Sequence, residues 1–364
     1  MSAETNSTLQ PATMKTISAA PEFAEAREVA EAGDFTEARD FTEVSAQPLE
    51  GSTFAPPACP VCAGTTRASA GDLFDTRFGI PGSFEVRRCQ DCGLERLSPA
   101  PAAAELKEFY ERFYNFSGER ATFYTFLREW FFSSFLYRLW MRVDGDISFH
   151  LRKGGGRLLD IGCNEGRTLK NYARNGFDAE GVELNEKAAA LARAAGFRVF
   201  TGSLEDLAPQ LPYDVAVLSN VLEHALDPGR MLREVHRLVK PQGQVWISCP
   251  NRQSWLRGLF GRMWINWHVP FHISHFSPRT LRKLVEESGF SEVRIRQITP
   301  ALWVASSILA GFFARPGRPT KQLRNAPLIF GLVLLCRALL FPVLFWGNRT
   351  GRGDCLVAVA TRAE

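Results

Sequence analysis

The sequence predicts an α/β fold with a mostly parallel sheet that helices cover on both faces. The first observation is alternation, because apolar strand-like runs and helical runs take turns from Arg157 to Pro250. The second is the turn in DIGCNEG, where Gly162 and Gly166 lie between an apolar run and a helical run. The third is Glu183, 21 residues after Gly162, where such folds place a carboxylate for a ribose. Together they predict a pocket for a ligand that contains adenosine.

The composition allows a large buried core and says little about a partner. The chain has 364 residues, 45% of them hydrophobic, and a formal net charge of +4. Its first fifty residues contain no apolar run of the kind found in a secretory signal, so we expect a cytoplasmic protein with eight reduced cysteines. Residues 1–53 also lack a sustained apolar period, which predicts a disordered tail.

Two C-x2-C turns predict a zinc ribbon in residues 54–99. The ligands would be Cys59, Cys62, Cys89 and Cys92, because four thiolates at this spacing favour tetrahedral zinc. Four cysteine ligands leave no open coordination position, so the expected role of the metal is structural. The alternatives are a redox pair or plain buried cysteines.

An aromatic helical segment follows in residues 100–153. It holds more aromatic side chains than one helix face can bury against a core. This predicts either a helix packed between ribbon and core or a lid that forms an apolar wall for a substrate. Gly154, Gly155 and Gly156 end the segment as a linker to the predicted core, residues 154–298.

The core motifs resemble those of class I S-adenosylmethionine-dependent methyltransferases. DIGCNEG, GVEL, TGSLEDL, YDVAVLSNVLEHALDP and LVKPQGQVWISCPN follow one another at the spacing that this family shows. The four-cysteine ribbon and CGLERLSPAP before them are similar to bacterial methyltransferases of sugar, polysaccharide and natural-product pathways. The resemblance implies a Rossmann-like sheet of seven strands, S-adenosylmethionine as the cofactor and methyl transfer as the reaction.

The same resemblance implies which residues hold the cofactor. Asp160, Gly162 and Gly166 would hold the methionine part, and Glu183 would bind the ribose hydroxyls. Ser203 and Leu204 would flank the adenine at the end of the third strand, and Asn220 would lie beside the sulfonium at the end of the fourth.

Two positions depart from the usual pattern of the family. Asn164 replaces the middle glycine of the turn, and asparagine tolerates the left-handed backbone better than most residues. Ser203 replaces the usual acid of the adenine segment, where Asp206 could supply the contact from the next turn. A nicotinamide dehydrogenase is the alternative for this turn. Asn164 and Arg167 stand where its fingerprint needs glycines near a pyrophosphate, which favours the methyltransferase.

Histidines near two strand ends predict the catalytic site. His224 follows the fourth strand, and His272 lies in NWHVPFHISHF after the fifth. Methyl transfer to a hydroxyl needs alignment and a proton acceptor, and we predict His224 for that role, with His272 as second choice. The alternative is that His224 only caps a helix and that His275 only packs.

Three of these residues also resemble metal ligands. Glu223, His224 and His272 are similar to the ligands of methyltransferases that modify the 3′ ends of small RNAs. The first glutamate of that pattern falls on Asn220, so we predict catalysis without a metal.

Residues 299–350 form an apolar insertion before the final strand, residues 351–364. Two apolar runs flank a basic loop, and the second has the length of a membrane span but contains Arg337 and Pro342. Both ends return to one sheet, so we predict a peripheral or re-entrant pair of helices at the inner face of the cell membrane. The alternative is a soluble helical cap packed on the aromatic segment.

The predicted function is methylation of an oxygen on a sugar or lipid-linked acceptor. One alternative is a non-catalytic protein that binds S-adenosylmethionine at the membrane surface, and a weaker one is an RNA methyltransferase. Arg87 and Arg88 alone make no basic groove, so we expect no nucleic-acid partner.

Overall fold

The computed structural model describes residues 58–59, 61–113, 130–131, 134–209 and 211–364. The predicted disordered tail, residues 1–53, lies outside the described residues. So do residues 114–129 and 132–133 of the predicted aromatic segment.

The N-terminal part of the described chain is a small antiparallel sheet. Strands β1 (Thr66–Leu73), β2 (Phe84–Cys89) and β3 (Glu95–Ser98) pair in sequence order. The first C-x2-C turn precedes β1 and the second lies between β2 and β3, so the two turns meet at one end of the sheet. Two helices follow, α1 (Ala103–Phe113) and α2 (Phe135–Asp144), one before and one after residues 114–129.

The core alternates strands and helices, as the sequence predicts. In chain order its first elements are β4 (Arg157–Ile161), α3 (Arg167–Arg174), β5 (Asp178–Glu183), α4 (Glu186–Ala194), β6 (Arg198–Thr201), β7 (Tyr213–Ser219), α5 (Pro228–Leu238) and β8 (Val239–Pro250). Asn185 caps α4 and Asp227 caps α5, each by accepting a backbone N–H of the first turn.

The second half of the core adds two antiparallel strands and completes the small sheet. Its elements are α6 (Trp255–Phe260), β9 (Ser274–His275), α7 (Pro278–Glu287), β10 (Phe290–Ile298), α8 (Ala301–Phe313), α9 (Ala326–Arg349) and β11 (Cys355–Arg362). Ser277 and Thr280 form the capping box of α7, which begins at the predicted Pro278. Strand β9 pairs with β3, so the ribbon and the core share a four-stranded sheet.

The central sheet has seven strands in the order β10-β11-β8-β7-β4-β5-β6. Strands β4 to β8 are parallel, and β11 runs antiparallel between β8 and β10. This confirms the predicted Rossmann-like sheet, including its last strand, β11, which runs antiparallel against β10. The carboxyl ends of β4, β5, β6 and β7 therefore lie along one edge, where such sheets bind ligands.

The insertion is a pair of helices that packs on the core with one side only. Residues of α8 and α9 share a buried cluster with Trp264 and Leu256. By length and composition, α9 is one helix in the described chain that could cross a membrane, and 17% of its most apolar stretch is buried. Several large apolar side chains of α9 are exposed, among them Leu339 and Trp346. The alternative of a cap packed on the aromatic segment falls partly outside the described residues.

Candidate active site

The glycine turn after β4 takes the backbone conformation that the sequence predicts. Gly162, Asn164 and Gly166 have φ angles of 69°, 51° and 79°, all in the left-handed region. The side chain of Asn164 accepts the backbone N–H of Glu165 at 2.8 Å, which stabilises this conformation. A Cβ on Gly162 would lie 3.0 Å from Val221 Cγ2, so the turn also approaches the end of β7 closely.

Two acids converge on this turn. Asp160 is buried at the end of β4 and accepts a hydrogen bond from the Thr168 hydroxyl. Burial, together with the nearby charge of Glu183 and against the hydrogen bond from Thr168, raises the pKa of Asp160 to about 7. Glu183 ends β5 and accepts the backbone N–H groups of Asn164 at 3.0 Å and Asn185 at 2.9 Å. The predicted ribose ligand therefore also fixes the turn and the start of α4.

The predicted adenine residues follow β6, next to Glu183. The backbone N–H of Gly202 donates to the carbonyl oxygen of Glu183 at 3.1 Å, which places Ser203 beside β5. The Ser203 hydroxyl donates to Asp206 Oδ2 at 2.6 Å, and Leu204 is buried. Ser203 and Asp206, the two residues considered for one adenine contact, thus lie together.

Asn220 closes the predicted cofactor site on the side of β7. Its φ angle is 55°, and its backbone N–H donates to Ser248 of β8 at 2.9 Å. Its side-chain oxygen is buried and has no hydrogen-bond partner among the described residues. An orphaned buried acceptor costs free energy, so this oxygen fits a position beside a bound ligand. Together with the left-handed turn and the paired acids, it fits S-adenosylmethionine, and the individual contacts remain predictions.

The two predicted catalytic histidines lie together, and Glu223 joins them. One ligand atom of each of Glu223, His224 and His272 lies within 4.8 Å of the other two. We call these three residues the Glu-His-His cluster. The backbone N–H of Ile273 donates to the carbonyl oxygen of Glu223 at 2.8 Å, which joins the segment after β7 to the segment after β8.

Hydrogen bonds orient both imidazole rings. His224 Nδ1 lies 2.8 Å from the hydroxyl of Tyr110 on α1, and His272 Nδ1 lies 2.8 Å from the carbonyl oxygen of Asn266. The rings meet edge to face with centroids 4.6 Å apart. Tyr110 is a site residue that the sequence analysis missed, because α1 shows no sign of which aromatic residue faces the core.

Burial sets the charges of the Glu-His-His cluster. It lowers the pKa of His224 to about 4 and that of His272 well below its usual value, so both rings are neutral near pH 7. It raises the pKa of Glu223 to about 8. Neutral imidazoles can accept a proton, as the predicted role requires. Because Asp227 caps α5, the alternative in which His224 only caps that helix is wrong.

Not every histidine of this segment belongs to the cluster. His275 is buried in β9 and packs edge to face on Trp267, with ring centroids 5.0 Å apart. Its position agrees with the packing alternative. The His268 ring lies 4.8 Å from that of His272 and stacks on Phe271, with ring centroids 5.1 Å apart.

The four ribbon cysteines form one cluster that fits a zinc ion. Their sulfur atoms lie within 4.8 Å of one another, with Cys59 and Cys92 at 3.5 Å and Cys62 and Cys89 at 3.4 Å. A zinc ion bonded to four sulfurs at about 2.3 Å holds them roughly 3.8 Å apart, so small movements suffice. Each turn is closed by a backbone hydrogen bond, from Cys59 to Gly64 and from Cys89 to Leu94, both at 2.9 Å.

Comparisons with known proteins agree with this geometry. Residues 134–295 match a family model described as a methyltransferase domain. The ubiquinone biosynthesis O-methyltransferase of Pseudomonas aeruginosa strain UCBPP-PA14 is 35% identical over 128 residues, 32% of this chain and 54% of that protein. The protein of the same name from Aeromonas salmonicida is 31% identical over 149 residues, 37% of this chain and 63% of that one. The chain thus spans between half and two thirds of these two relatives.

Two solved structures have similar folds. One is a methyltransferase of Thermotoga maritima, described as a possible histamine N-methyltransferase, with a TM-score of 0.41 and 20% identity over 71% of this chain and 99% of that chain. The other is phosphoethanolamine N-methyltransferase 2 of Haemonchus contortus, with a TM-score of 0.42 and 16% identity over 71% of this chain and 60% of that chain. The family match describes residues 134–295 as a methyltransferase domain, and the strand order of the central sheet agrees with the Rossmann-like fold that the sequence predicts.

Proposed function

We propose that the protein is an S-adenosylmethionine-dependent O-methyltransferase that acts on a lipid-linked acceptor, such as a lipid-linked sugar, at the membrane surface. One observation carries the methyl-transfer part. Val221 contacts the glycine turn at Gly162, and the next three residues include Glu223 and His224 of the Glu-His-His cluster. The predicted methyl-donor pocket and a cluster able to handle a proton therefore lie side by side.

The residues divide the reaction between them. S-adenosylmethionine supplies a methyl group on a sulfonium. The turn and Glu183 hold and orient this donor, while the Glu-His-His cluster receives the acceptor hydroxyl and its proton. The new bond joins the methyl carbon to the acceptor oxygen, and the bond from that carbon to sulfur breaks. The named activity of the two O-methyltransferase relatives supports oxygen as the methylated atom.

The exposed side of the helical insertion supports membrane contact. Its helix α9 exposes large apolar side chains along its length, namely Leu328, Phe330, Leu334, Leu335, Leu339, Phe341, Val343, Phe345 and Trp346. Exposed basic residues lie in the loop before it, at Arg315, Arg318, Lys321 and Arg324. Apolar residues beside a cluster of cations suit the boundary between acyl chains and anionic headgroups.

The one cation within the apolar run of α9 does not contradict this contact. Arg337 is 8% exposed and lies on the protein side of the helix, with its guanidinium 3.5 Å from the carboxylate of Asp144 on α2. The charge that argues against a membrane span therefore faces an opposite charge inside the protein, although its Nε and Nη1 atoms make no hydrogen bond with the described residues. The same ion pair fixes α9 to the body of the enzyme. This arrangement supports the proposal of a cytoplasmic enzyme at the inner face of the cell membrane.

Calorimetry and methyl transfer test the enzymatic part. Purified protein should bind S-adenosylmethionine. It should also transfer the labelled methyl group to a component of a lipid extract, and the labelled product should be soluble in organic solvent. Binding without transfer to any lipid or glycan extract would favour the non-catalytic alternative. Absence of S-adenosylmethionine binding would reject the proposal.

Vesicle flotation tests the membrane part. Wild-type protein should float with vesicles of phosphatidylcholine and phosphatidylglycerol, and less with phosphatidylcholine alone. Leu339→Glu, at a side chain 69% exposed on α9, should abolish flotation. Leu211→Glu is the matched control, because Leu211 is 63% exposed but lies between β6 and β7. Equal flotation of both variants, or wild-type protein that ignores both vesicles, would contradict membrane contact through α9.

The zinc of the ribbon belongs to the proposal as a structural metal. The cysteine cluster has four sulfur ligands and no place for a substrate. Its contribution is to hold strands β1 to β3 together. Of these, β3 pairs with β9 beside the Glu-His-His cluster.

A further inference from the structure

We infer that Glu223, His224 and His272 form a binding site for a first-row divalent cation. The sequence predicts catalysis without a metal, because Asn220 replaces one ligand of a known pattern. The structure supplies a different reason to expect one, which is the way in which the three side chains face each other.

The tautomer of His272 follows from its hydrogen bond. Its Nδ1 lies 2.8 Å from the carbonyl oxygen of Asn266, which can only accept, so Nδ1 carries the hydrogen. The Nε2 atom of the neutral ring therefore presents a lone pair, and it lies 4.0 Å from Glu223 Oε1. A nitrogen lone pair thus faces a carboxyl oxygen inside the protein. This orientation, with Nδ1 fixed by a carbonyl, is the one that metal-binding histidines adopt.

No partner among the described residues explains the burial of Glu223. The residue is 1% exposed, and neither carboxyl oxygen has a hydrogen-bond partner among the described residues. A proton on Glu223 would not complete the pair, because 4.0 Å is too long for a hydrogen bond to His272. A cation bonded at about 2.1 Å to each atom spans a gap of this size. It would satisfy both groups at once.

His224 supplies the third ligand and the opening of the site. The Tyr110 hydroxyl lies 2.8 Å from Nδ1, and the backbone of Phe271 also faces the ring, so Nε2 offers its lone pair to a cation in the tautomer in which Nδ1 carries the hydrogen. All three ligand atoms lie within 4.8 Å of one another. Ligands bonded at about 2.1 Å in a tetrahedral site lie roughly 3.4 Å apart, so the widest pair closes by up to roughly 1.4 Å when a cation binds. His224 is only half-buried, unlike Glu223 and His272, and the remaining coordination positions therefore face its side.

The donor set selects the kind of cation. Two imidazoles and one carboxylate suit Zn²⁺, Mn²⁺ or Fe²⁺, whereas Mg²⁺ prefers oxygen ligands. Three protein ligands leave open positions for an oxygen of the acceptor. This separates the site from the ribbon, whose four thiolates fill the coordination of zinc.

The role of the cation rests on the proposed function, although the site itself does not. A hydroxyl bound to a divalent cation loses its proton more easily, because the positive charge stabilises the alkoxide. The proton leaves to solvent, and the oxygen then attacks the methyl carbon while the bond from that carbon to sulfur breaks. His224 is a ligand in this arrangement and not the proton acceptor that the sequence predicts.

Manganese binding tests the site directly. Full-length protein with zinc in its ribbon is titrated with Mn²⁺, and free Mn²⁺ is measured by electron paramagnetic resonance. Thiolates bind Mn²⁺ poorly, so the ribbon does not interfere. We expect one Mn²⁺ per chain in the wild type and binding weakened by about 100-fold or more in Glu223→Gln. Glu205→Gln is the control, because Glu205 is an exposed residue on the loop after β6 and forms its ion pair with Arg230.

Further outcomes separate this inference from the proposed function. If Glu223→Gln does not fold by circular dichroism, His272→Gln provides the same test through a second ligand. Wild-type protein that binds no Mn²⁺, Fe²⁺ or Zn²⁺ beyond the ribbon zinc would overturn the inference, as would unchanged Mn²⁺ affinity in both ligand variants. Intact S-adenosylmethionine binding and chelator-insensitive methyl transfer would then leave the proposed function in place, with His224 as the base. Loss of S-adenosylmethionine binding in the wild type would instead reject the proposed function.

Discussion

Replacement of Glu183 by glutamine tests the cofactor site most directly. The change keeps the size of the side chain but removes its charge and turns one oxygen into an NH2 group. Both oxygens of Glu183 accept backbone N–H groups, from Asn164 at 3.0 Å and from Asn185 at 2.9 Å. The NH2 group would therefore face the backbone N–H of Asn164 or of Asn185, which is also a donor. It could not accept a hydrogen bond from a ribose hydroxyl.

The hydrogen bonds set the size of the effect. A hydrogen bond to a charged group contributes about 1.5–3 kcal/mol. Loss of one such bond corresponds to roughly 10-fold to 150-fold weaker binding of S-adenosylmethionine, because 1.4 kcal/mol is about a factor of ten. Isothermal calorimetry at one pH would measure the dissociation constants of wild type and variant.

Glu186→Gln is the matched control for this experiment. The residue begins α4, three positions after Glu183, but its side chain is 66% exposed and pairs with Arg193. It should bind S-adenosylmethionine as tightly as the wild type. Equal affinity in Glu183→Gln and the wild type would refute the assignment of Glu183, and equal loss in both variants would indicate that the whole turn is disturbed.

Three further predictions concern the glycine turn, the buried acid and the ribbon. Asn164→Gly should bind S-adenosylmethionine within about threefold of wild type by calorimetry, whereas Asn164→Ala should bind roughly 5-fold to 30-fold more weakly, because a left-handed alanine costs about 1–2 kcal/mol. The pKa of Asp160 is about 7 in the folded protein and 3.8 ordinarily, so ligand-free stability should fall by up to about 1.4 kcal/mol per pH unit as pH rises from about 4 to 7. Asp160→Asn should remove this contribution in thermal unfolding and weaken cofactor binding, and an unchanged pH profile would contradict the raised pKa. Cys89→Ser should lose one zinc per chain by elemental analysis, whereas Cys336→Ser, in the buried side of α9, should retain it; zinc kept by Cys89→Ser would exclude the ribbon site.

The central sheet could be predicted from the sequence because its signals are local. Each parallel strand is a short apolar run that is followed by its own helix, and Asn185, Asp227 and Ser277 mark helix starts by capping. The pairing of β3 with β9 could not be predicted in this way. Strand β9 has two residues, and the partner that defines it lies far away in the chain.

The buried charges show the same limit. Glu95 is 2% exposed and bonds Arg257 at 2.6 Å and Arg252 at 3.3 Å, and these arginines hold its pKa below the usual value. In sequence such charges have no feature that separates them from surface residues, because burial depends on the distant partner. Tyr110 went unnoticed for the same reason, since its contact with His224 joins residues far apart in the chain.

The sequence predicts individual residues of the candidate site but not the contacts between them. The sequence identifies Asp160, Glu183 and the turn by spacing, since the fold fixes where each strand ends. It does not indicate that Glu183 holds the turn through Asn164, nor that Glu223 faces His272. Both relations depend on side-chain directions that only the packed chain determines.

These relations assign the ribbon a part in the reaction although it lacks an open coordination position. Strand β3 pairs with β9, which begins two residues after His272. The guanidinium of Arg96 on the same strand donates to the carbonyl oxygen of Leu226 at 2.6 Å, two residues after His224. The ribbon therefore supports both segments that carry the Glu-His-His cluster, whereas the glycine turn is held by β5. Zinc loss should accordingly lower the rate of methyl transfer more than the affinity for S-adenosylmethionine, because the histidines would lose their support first.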